Sequence, residues 1–325
     1  MALYLITGIA GFIGSSIARA LVERGERVRG IDNFSTGSED NLRDLEGDID
    51  FRRGDITELE TVAEAMQDVD YVLHQAALAS VPRSVEYPQS SHDSNLNGTL
   101  NVLLAARDAG VRRVVFAASS SAYGDQSAQP KCETMMPCPL SPYAVQKLAG
   151  EHYMQVFWRN YGLETVCLRY FNVFGPRQSA GSPYSGVIAR FIRAMLHGET
   201  PTIFGDGSHT RDFTYIANPV EANLLACAAP AELVCGQVFN IGMGEAHSLN
   251  ETCRVIAEII GFPNPPNYAT ERAGDIRHSL ASIDRARLSL GYVPMVGFPE
   301  GLRRTIEWYK QQESESSVEE VAATY

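Results

Sequence analysis

Tyr143 and Lys147 are the residues of this sequence best suited to acid–base chemistry. They lie four positions apart in a segment with a helical pattern, so their side chains share one helix face. A tyrosine with an ordinary pKa near ~10 is a poor base at neutral pH, but a neighbouring ammonium group stabilises its phenolate. The pair could therefore remove a hydroxyl proton while a hydride leaves the same carbon. The same spacing is also common in surface helices, so its meaning depends on a nearby cofactor site.

Three glycines near the N-terminus predict such a site. Residues 3–7 form an apolar run that leads directly into Gly8, Gly11 and Gly14, and an amphipathic stretch follows. Between a first strand and a first helix, the first glycine permits the tight turn and the second lets a pyrophosphate approach the backbone. The third allows close packing of helix on strand. The pattern therefore predicts a dinucleotide-binding turn, which includes Phe12 and Ile13.

The acids that follow the next two strands indicate which dinucleotide binds. Asp32 lies 18 residues after Gly14, where a carboxylate accepts hydrogen bonds from an adenosine ribose and repels a 2′-phosphate, which favours NAD over NADP. Asp55 and Ile56 are placed to cover the adenine, although an acid that caps the following helix is an equally good interpretation of Asp55. Ala76 and Ala77 provide small side chains where the cofactor passes close to the backbone.

These residues require a parallel sheet to bring them together. Short apolar runs alternate with amphipathic stretches through the first half, which predicts βαβ units and a doubly wound sheet of the Rossmann type, in the α/β class, with a smaller C-terminal substrate-binding lobe. The predicted strands span residues 3–7, 27–31, 50–53, 71–75, 114–118, 165–170 and 238–241. The predicted helices span residues 11–24, 59–66, 94–109, 142–161, 185–197, 249–260 and 300–310.

Changes in composition along the chain predict the domain boundaries. The NAD-binding domain is expected to comprise residues 1–171 plus 216–243, and the second lobe residues 172–215 plus 244–312. Residues 313–325 are rich in Ser and Glu and are expected to form a disordered tail.

Charge and hydropathy exclude several classes of function. The 325 residues carry a formal net charge of −12, and an acidic surface does not suit binding to a nucleic-acid backbone. No apolar segment approaches the ~20 residues of a membrane span, and the N-terminal run lacks the basic residues of a signal peptide, so a cytoplasmic protein without a membrane partner is expected. The six cysteines show no metal-ligand spacing, so no metal site is expected.

Together these motifs resemble those of the extended short-chain dehydrogenase/reductase family over roughly residues 1–310. The second half resembles the nucleotide-sugar enzymes of that family, in particular the bacterial UDP-N-acetylglucosamine 4-epimerases and UDP-glucose 4-epimerases. The segments that carry the resemblance are residues 7–14, Asp32, residues 74–77, residues 119–121, Tyr143, Lys147, residues 168–172, 205–213, 238–242 and 272–275.

The resemblance implies roles for individual residues. Tyr143, Lys147 and Ser119 are implied to be catalytic, with Ser119 bound to the sugar 4-hydroxyl. Implied to bind NAD are Gly8, Gly11, Phe12, Ile13, Gly14, Asp32, Asn33, Asp55, Ile56, Gln75, Ala76, Ala77, Asn95, Tyr143, Lys147, Tyr170 and Phe171. Implied to bind the UDP-sugar are Ala79, Ser80, Ser120, Ser121, Asn172, Gly186, Val187, Arg211, Arg272, Asp275 and Ser279. Arg211 and Arg272 suit a diphosphate because guanidinium groups bind it bidentately, although ion pairs with Asp212 and Asp275 are the alternative.

The residues after Ser119 distinguish the possible reactions. The 4,6-dehydratases of the family carry an Asp-Glu pair there and the decarboxylases a Glu, whereas this chain has Ser120, Ser121 and Ala122. Without a further acid, the resemblance implies a reversible 4-epimerisation through a 4-keto sugar.

The residues around the sugar predict the substrate. In the epimerases that the chain resembles, the position matching Ser279 is small where an N-acetyl group must fit. With the small residues Ser279, Gly186 and Ala79, the resemblance therefore implies UDP-GlcNAc and UDP-GalNAc, with UDP-Glc and UDP-Gal as poorer substrates. A UDP-hexuronate 4-epimerase and a non-catalytic NAD-binding sensor are the alternatives. The helices over residues 94–109 and 142–161 carry apolar residues on more than one face, and with the resemblance this predicts a homodimer.

Overall fold

The computed structural model describes residues 1–179, 186–271 and 276–322, with side chains described as far as Ser314. The strands are β1 (Leu3–Thr7), β2 (Arg27–Asp32), β3 (Ile49–Arg53), β4 (Tyr71–His74), β5 (Arg113–Ser119), β6 (Glu164–Tyr170), β7 (Val173–Phe174), β8 (Thr202–Phe204), β9 (Thr210–Arg211), β10 (Thr214–Tyr215), β11 (Gln237–Ile241), β12 (His247–Ser248), β13 (Asn267–Ala269) and β14 (His278–Ser279). The helices are α1 (Phe12–Glu23), α2 (Leu59–Ala65), α3 (Val81–Glu86), α4 (Pro88–His92), α5 (Gly98–Asp108), α6 (Pro142–Tyr161), α7 (Val187–Leu196), α8 (Ala217–Ala228), α9 (Ala231–Val234), α10 (Leu249–Ile260), α11 (Asp284–Leu290) and α12 (Phe298–Ala322).

A seven-stranded parallel sheet in the order β11-β6-β5-β4-β1-β2-β3 forms the centre of the molecule. The strand order reverses direction between β1 and β4, which are neighbours in the sheet. The loops after these two strands therefore diverge and leave a crevice at the carboxyl edge, where ligands bind in open α/β sheets. The prediction of a doubly wound α/β sheet is confirmed.

The strands are buried on both faces because their side chains alternate between two apolar layers. In β5, Val114 and Phe116 belong to one layer, and Val115 belongs to the other. The Phe116 layer is covered by α2, α5 and α6, and the Val115 layer by α1 and α8. Residues at the carboxyl ends of the strands are thus held by a rigid core.

Short strands organise the second half of the chain. β9 pairs with β12 and β14, β10 pairs with β7, and β13 pairs with β8. The pairing of β14 with β9 brings Ser279 beside Arg211. Residues 216–243 include α8, which packs on α1, and β11, which pairs with β6; the division into two domains stays a prediction.

The structure differs from the prediction in several places. Helices α8, α9 and α11 and the short strands β7–β10 and β12–β14 were not predicted, and the segment between residues 80 and 98 also differs. The predicted helix over residues 94–109 is α5, which begins only at Gly98 and follows a π-helical turn over Asp93–Asn97. Two short helices that were not predicted, α3 and α4, precede it, and each has a proline in its first turn.

The last helix also differs from its prediction. It continues to Ala322, through the segment for which disorder is predicted, and residues 311–322 contain no glycine or proline that would end a helix. Among the described residues, no helix is both long enough and apolar enough to cross a membrane.

Candidate active site

The glycine-rich turn after β1 is built for close approach of a ligand to the backbone. Gly8 has φ +71°, and a Cβ there would lie 2.7 Å from the Cα and N of Ala76. Gly11 caps α1, whose first turn carries no acidic residue, so the helix itself places no carboxylate beside its first N–H groups. Phe12, Ile13 and Gly14 form that first turn. The arrangement suits the diphosphate of a dinucleotide.

Asp32 ends β2 and joins the glycine-rich turn to the loop after β2 by hydrogen bonds. Its Oδ2 accepts from Ala10 N at 2.9 Å, and its Oδ1 accepts from Phe34 N at 2.8 Å. Burial raises its pKa, while these backbone donors stabilise the carboxylate and oppose that shift. Each oxygen keeps a second lone pair, so the carboxylate can also accept a ribose hydroxyl.

Most of the residues predicted to bind the cofactor line one cavity at this edge of the sheet. Its lining includes Gly8, Gly11, Asp32, Asn33, Asp55, Ile56, Gln75, Ala76 and Ala77, with Ser35, Thr36 and Ser94 as members that sequence reasoning missed. The cavity has an acid at its ribose end and glycine and alanine along its floor, so its residues fit NAD.

Two of these residues have a second, local function. Asp55 Oδ1 accepts from the backbone and hydroxyl of Thr57 at 2.8 Å, within its own turn, and it does not cap the following helix α2, whose N-cap is Glu58. Its other oxygen accepts from Asn33 Nδ2 at 2.7 Å, so the two residues hold each other at the cavity wall.

Asn95 lies away from this cavity, within the π-helical turn. Its Oδ1 accepts from Leu78 N at 2.7 Å, and its Nδ2 donates to Gln146 Oε1 at 2.9 Å. Because the amide is buried and bonded to protein on both sides, it ties the loop after β4 to α6.

Tyr143 and Lys147 lie in the first two turns of α6. Ser141 caps this helix through Ala144 N at 3.2 Å, and Tyr143 N donates to Ser84 Oγ at 3.1 Å. Burial raises the pKa of Tyr143, while a hydrogen bond with Ser119 lowers it in part. Ser119 lies at the end of β5 and also accepts from Ser121 Oγ at 2.8 Å.

Lys147 is buried, with a relative exposure of 2%. Its Nζ donates to Ala117 O at 2.8 Å and lies 4.7 Å from the centre of the Phe116 ring. Burial lowers its pKa to about 7, and the charge of Glu151 opposes that shift. A lysine with such a pKa can gain or lose its proton near neutral pH.

A second cavity of about 230 Å³ opens in front of Tyr143. Among the predicted residues, its lining includes Ser119, Ser120, Ser121, Tyr143, Tyr170, Phe171, Asn172, Arg211 and Ser279. Val81, Lys131, Ile276 and His278 also line it and were missed, because no local motif marks them. Among the described residues of this lining there is no carboxylic acid.

A third cavity of about 240 Å³ adjoins the second, and Asn172 and Arg211 line both. Gly186 and Val187 line this third cavity rather than the one that contains Ser279. Asn172 has φ +31°, and its Nδ2 donates to Asp212 O at 3.0 Å and to Ser279 Oγ at 3.4 Å. The oxygens of Asp212 accept from backbone N–H groups of Met243, Gly244 and Ala281.

Two of the predicted residues are not brought to these cavities. Ala79 and Ser80 line neither, and Ser80 Oγ caps α3 through Arg83 N at 3.2 Å. Arg272 and Asp275 lie outside the described residues.

Tyr170 lines the second cavity, and its hydroxyl is hydrogen-bonded to Asn223 and Gln75. Its hydroxyl accepts from Asn223 Nδ2 at 2.7 Å and bonds to Gln75 Oε1 at 3.3 Å. Sequence reasoning missed Asn223, which lies in α8 and shows no recognisable spacing to the other site residues.

Comparisons with known proteins agree with this geometry. The model of the NAD dependent epimerase/dehydratase family matches residues 4–242. A UDP-glucose 4-epimerase of Mycolicibacterium smegmatis is 39% identical over 95% of this chain and 98% of its own, and a UDP-glucuronate 4-epimerase of Thermodesulfobacterium geofontis is 34% identical over 96% and 97%. The structure of a UDP-N-acetylglucosamine 4-epimerase of Methanobrevibacter ruminantium, in complex with UDP-N-acetylmuramic acid, superposes with a TM-score of 0.91 at 37% identity, over 96% of this chain and 99% of that one. From its sequence, its sheet and its NAD-binding cleft, the chain belongs to the NAD dependent epimerase/dehydratase family.

Proposed function

We propose that the protein is a 4-epimerase of UDP-sugars whose preferred pair is UDP-GlcNAc and UDP-GalNAc. The observation that carries the reaction type is the cavity in front of Tyr143, whose described lining offers a phenol and serine hydroxyls but no carboxylic acid. Expelling water from the sugar requires a further acid or base beside the 4-keto sugar, whereas inversion requires none. Relatives named as UDP-sugar 4-epimerases support the same reaction.

The mechanism follows from the roles that each side chain can take. When bound, NAD supplies a reversible acceptor for hydrogen from the carbon that is inverted. Tyr143, as the phenolate, takes the proton of the 4-hydroxyl and later returns it, and Ser119 orients that hydroxyl through its bond to Tyr143. Lys147 stabilises the phenolate by its charge. The flat ketone turns over between the two transfers, held by its diphosphate at Asn172 and Arg211, which line both cavities.

The preference for an acetamido sugar rests on Ser279. This residue lines the same cavity as Tyr143 and Ser119, and its side chain is small. A bulky residue there would occupy the volume that an N-acetyl group needs. Gly186 and Ala79, weighed with Ser279 from the sequence, lie outside this cavity, so the substrate proposal depends on Ser279 alone.

Lys131 favours a second candidate substrate, a UDP-hexuronate. Its side chain is buried, lines the same cavity and bonds to Gln126 O, so a cation is available to a sugar carboxylate. The UDP-glucuronate 4-epimerase among the relatives supports the same alternative.

The test is to incubate the purified protein separately with UDP-GlcNAc, UDP-Glc and UDP-glucuronate and to resolve the 4-epimers. We expect UDP-GalNAc to form fastest. Conversion of the uronate alone would reject the acetamido substrate, and no conversion of any substrate by protein with bound NAD would favour an NAD-binding sensor.

Ser279→Tyr tests the substrate argument directly. We expect kcat/KM for UDP-GlcNAc to fall by about tenfold or more, because the pocket loses the volume of the acetamido group, while that for UDP-Glc changes by less than about twofold. Ser279→Ala, which keeps the pocket open, is the matched control. An equal loss on both substrates would contradict the argument.

A further inference from the structure

Helix α6 carries a row of three ionisable side chains rather than two. Tyr143, Lys147 and Glu151 follow one another at intervals of four residues, so all three lie on one face, which packs against β5 and β6. Lys147 and Glu151 are each only 2% exposed. The catalytic pair of the proposed reaction is therefore continued into the protein interior by a buried acid.

Glu151 is held by a cation from the sheet. Arg169 Nε donates to its Oε1 at 2.8 Å, and Arg169 Nη2 donates to its Oε2 at 2.6 Å, in a bidentate pair. The guanidinium also stacks on the Tyr123 ring, 4.6 Å from the ring centre, and the Tyr123 hydroxyl donates to Asn240 at 2.7 Å. These contacts fix where the carboxylate lies relative to β6.

The pair also fixes how α6 sits on the sheet. Arg169 is in β6, two residues before Phe171 and three before Asn172, both of which line the cavity in front of Tyr143. A helix that rotated about its axis would break both hydrogen bonds of the bidentate pair and would move Tyr143 with it.

The groups around Lys147 make Glu151 its source of negative charge. His74 faces the lysine from β4, but burial lowers its pKa to about 3, so the imidazole is neutral at working pH. Cys167 lies in β6, and burial raises the pKa of its thiol well above the usual value, so it is neutral too. Burial favours the neutral amine at Lys147, and Glu151 favours the ammonium, although Arg169 offsets part of that effect.

We propose that Glu151, held by Arg169, is a positioning residue that keeps Lys147 protonated beside Tyr143. The proposal deepens the proposed epimerase chemistry and rests on it only for its consequence in turnover. The state of Lys147 is measurable without any substrate.

The sequence makes that measurement simple, because it contains only three lysines, Lys131, Lys147 and Lys310. Lysine labelled with ¹³C at Cε gives three resonances in the protein with its bound NAD, and Lys131→Arg and Lys310→Arg assign them. Glu151→Gln keeps the size of the side chain and removes its charge. We expect the titration midpoint of Lys147 to fall by about one pH unit or more, and those of Lys131 and Lys310 to stay unchanged.

Two further variants separate charge from packing. Arg169→Gln removes the cation that partly neutralises Glu151, so we expect the midpoint of Lys147 to rise instead. Glu164→Gln removes the acid of another Arg–Glu pair between β5 and β6, with Arg113 at 2.8 Å, at the far end of these strands. It controls for the loss of a buried ion pair, and the midpoint should not move.

The pH dependence of turnover gives a second readout. The ammonium is present below the pKa of Lys147 and lost above it, so Glu151→Gln should move the alkaline limb of the kcat profile to lower pH with little change in KM. A midpoint that is equal in the wild type and in both variants, or that falls in both, would overturn the proposal. If Glu151→Gln does not fold, a midpoint that fails to rise in Arg169→Gln overturns it alone. A shifted midpoint in a protein that converts no UDP-sugar would leave this inference standing and reject the proposed function.

Discussion

Single residues in this site depend on burial for their chemistry. Burial raises the pKa of the Tyr143 phenol, and a hydrogen bond with Ser119 opposes that shift. Asp32 is placed in the same way: burial raises its pKa, and two loops supply N–H groups that stabilise its charge. The reactive groups thus depend on a few named contacts.

Tyr143→Phe removes the proposed base without removing a bond on which the fold depends. We expect kcat to fall about a thousandfold, because the other two tyrosines of the described lining have hydroxyls bonded elsewhere, Tyr123 to Asn240 and Tyr170 to Asn223 and Gln75. The melting temperature and the NAD content should stay near those of the wild type. Both quantities and the rate are measured on the same preparation.

Tyr161→Phe, at the exposed end of the same helix, is the control and should turn over like the wild type. A Tyr143→Phe protein that kept more than about a tenth of the wild-type rate would show that another group removes the proton.

Elements, rather than single residues, set the shape of the dinucleotide cleft. The end of β1 meets the end of β4 so closely that Gly8 touches the backbone of Ala76. β2 then contributes Asp32, and the loop after β3 contributes Asp55. The cleft is therefore a product of strand order and of one close backbone contact.

Gly8→Ala should disrupt this contact. A Cβ at Gly8 has both an unfavourable φ and a clash with Ala76, so we expect loss of bound NAD and a clear fall in melting temperature. The measurement is the NAD released on denaturation, together with a thermal melt.

Gly25→Ala isolates the cost of the conformation. Gly25 has φ +74°, but a Cβ there meets no atom within 4 Å, so we expect a loss of about 1 kcal/mol in stability with NAD retained. Equal behaviour of the two variants would contradict the role given to the β1–β4 contact.

Much of the arrangement of helices and strands around the cleft is predictable from the sequence. Strand–helix alternation predicted the seven parallel strands, since a buried parallel strand is a continuous apolar run bounded by Gly, Asp or Asn. The start of α5 at Gly98 was not predictable, because the π-helical turn before it is stabilised by the tertiary contacts of Asn95 with Leu78 and Gln146. Nothing in the local spacing of residues 80–98 reports such contacts.

At the scale of the whole molecule, distant segments must meet to complete the sugar cavity. Asp212 binds them together: its oxygens accept from Met243 at 2.7 Å and Gly244 at 3.0 Å, after β11, and from Ala281 at 3.1 Å, after β14. The side chain is fully buried, and burial raises its pKa to about 6. Asp212 follows Arg211 in the chain, and its backbone N–H donates to Ser279 O at 2.7 Å.

Asp212→Asn leaves one acceptor oxygen where two serve three donors. We expect binding of UDP to weaken by about tenfold, because Arg211 and Ser279 lose their common support, while NAD content stays unchanged. Calorimetric titration measures the binding of UDP, and the amount of NAD released on denaturation measures the NAD content.

Asp284→Asn, at an exposed carboxylate that bonds to Ser282 Oγ, is the matched control and should bind UDP normally. Equal loss of NAD and UDP in Asp212→Asn would show that the residue supports the whole fold rather than the sugar side.

Contacts between segments that are distant in the sequence are the hardest to predict from it. The contact of Asn172 with Ser279 joins residues 107 positions apart. Lys131 and His278, which also line the cavity, carry no sequence motif. The resemblance implied that Ser279 and Gly186 both bind the sugar. In the structure, the pairing of β14 with β9 places Ser279 in the cavity that contains Tyr143, whereas Gly186 lines the adjoining cavity.

The placement of Ser279 on a different element from Tyr143 and Lys147 has a consequence for the evolution of such enzymes. Tyr143 and Lys147 belong to a helix clamped on the central sheet, whereas Ser279 belongs to a two-residue strand at the rim. After gene duplication, single substitutions at the rim can therefore change which sugar is accepted, while the residues that carry out the reaction stay the same.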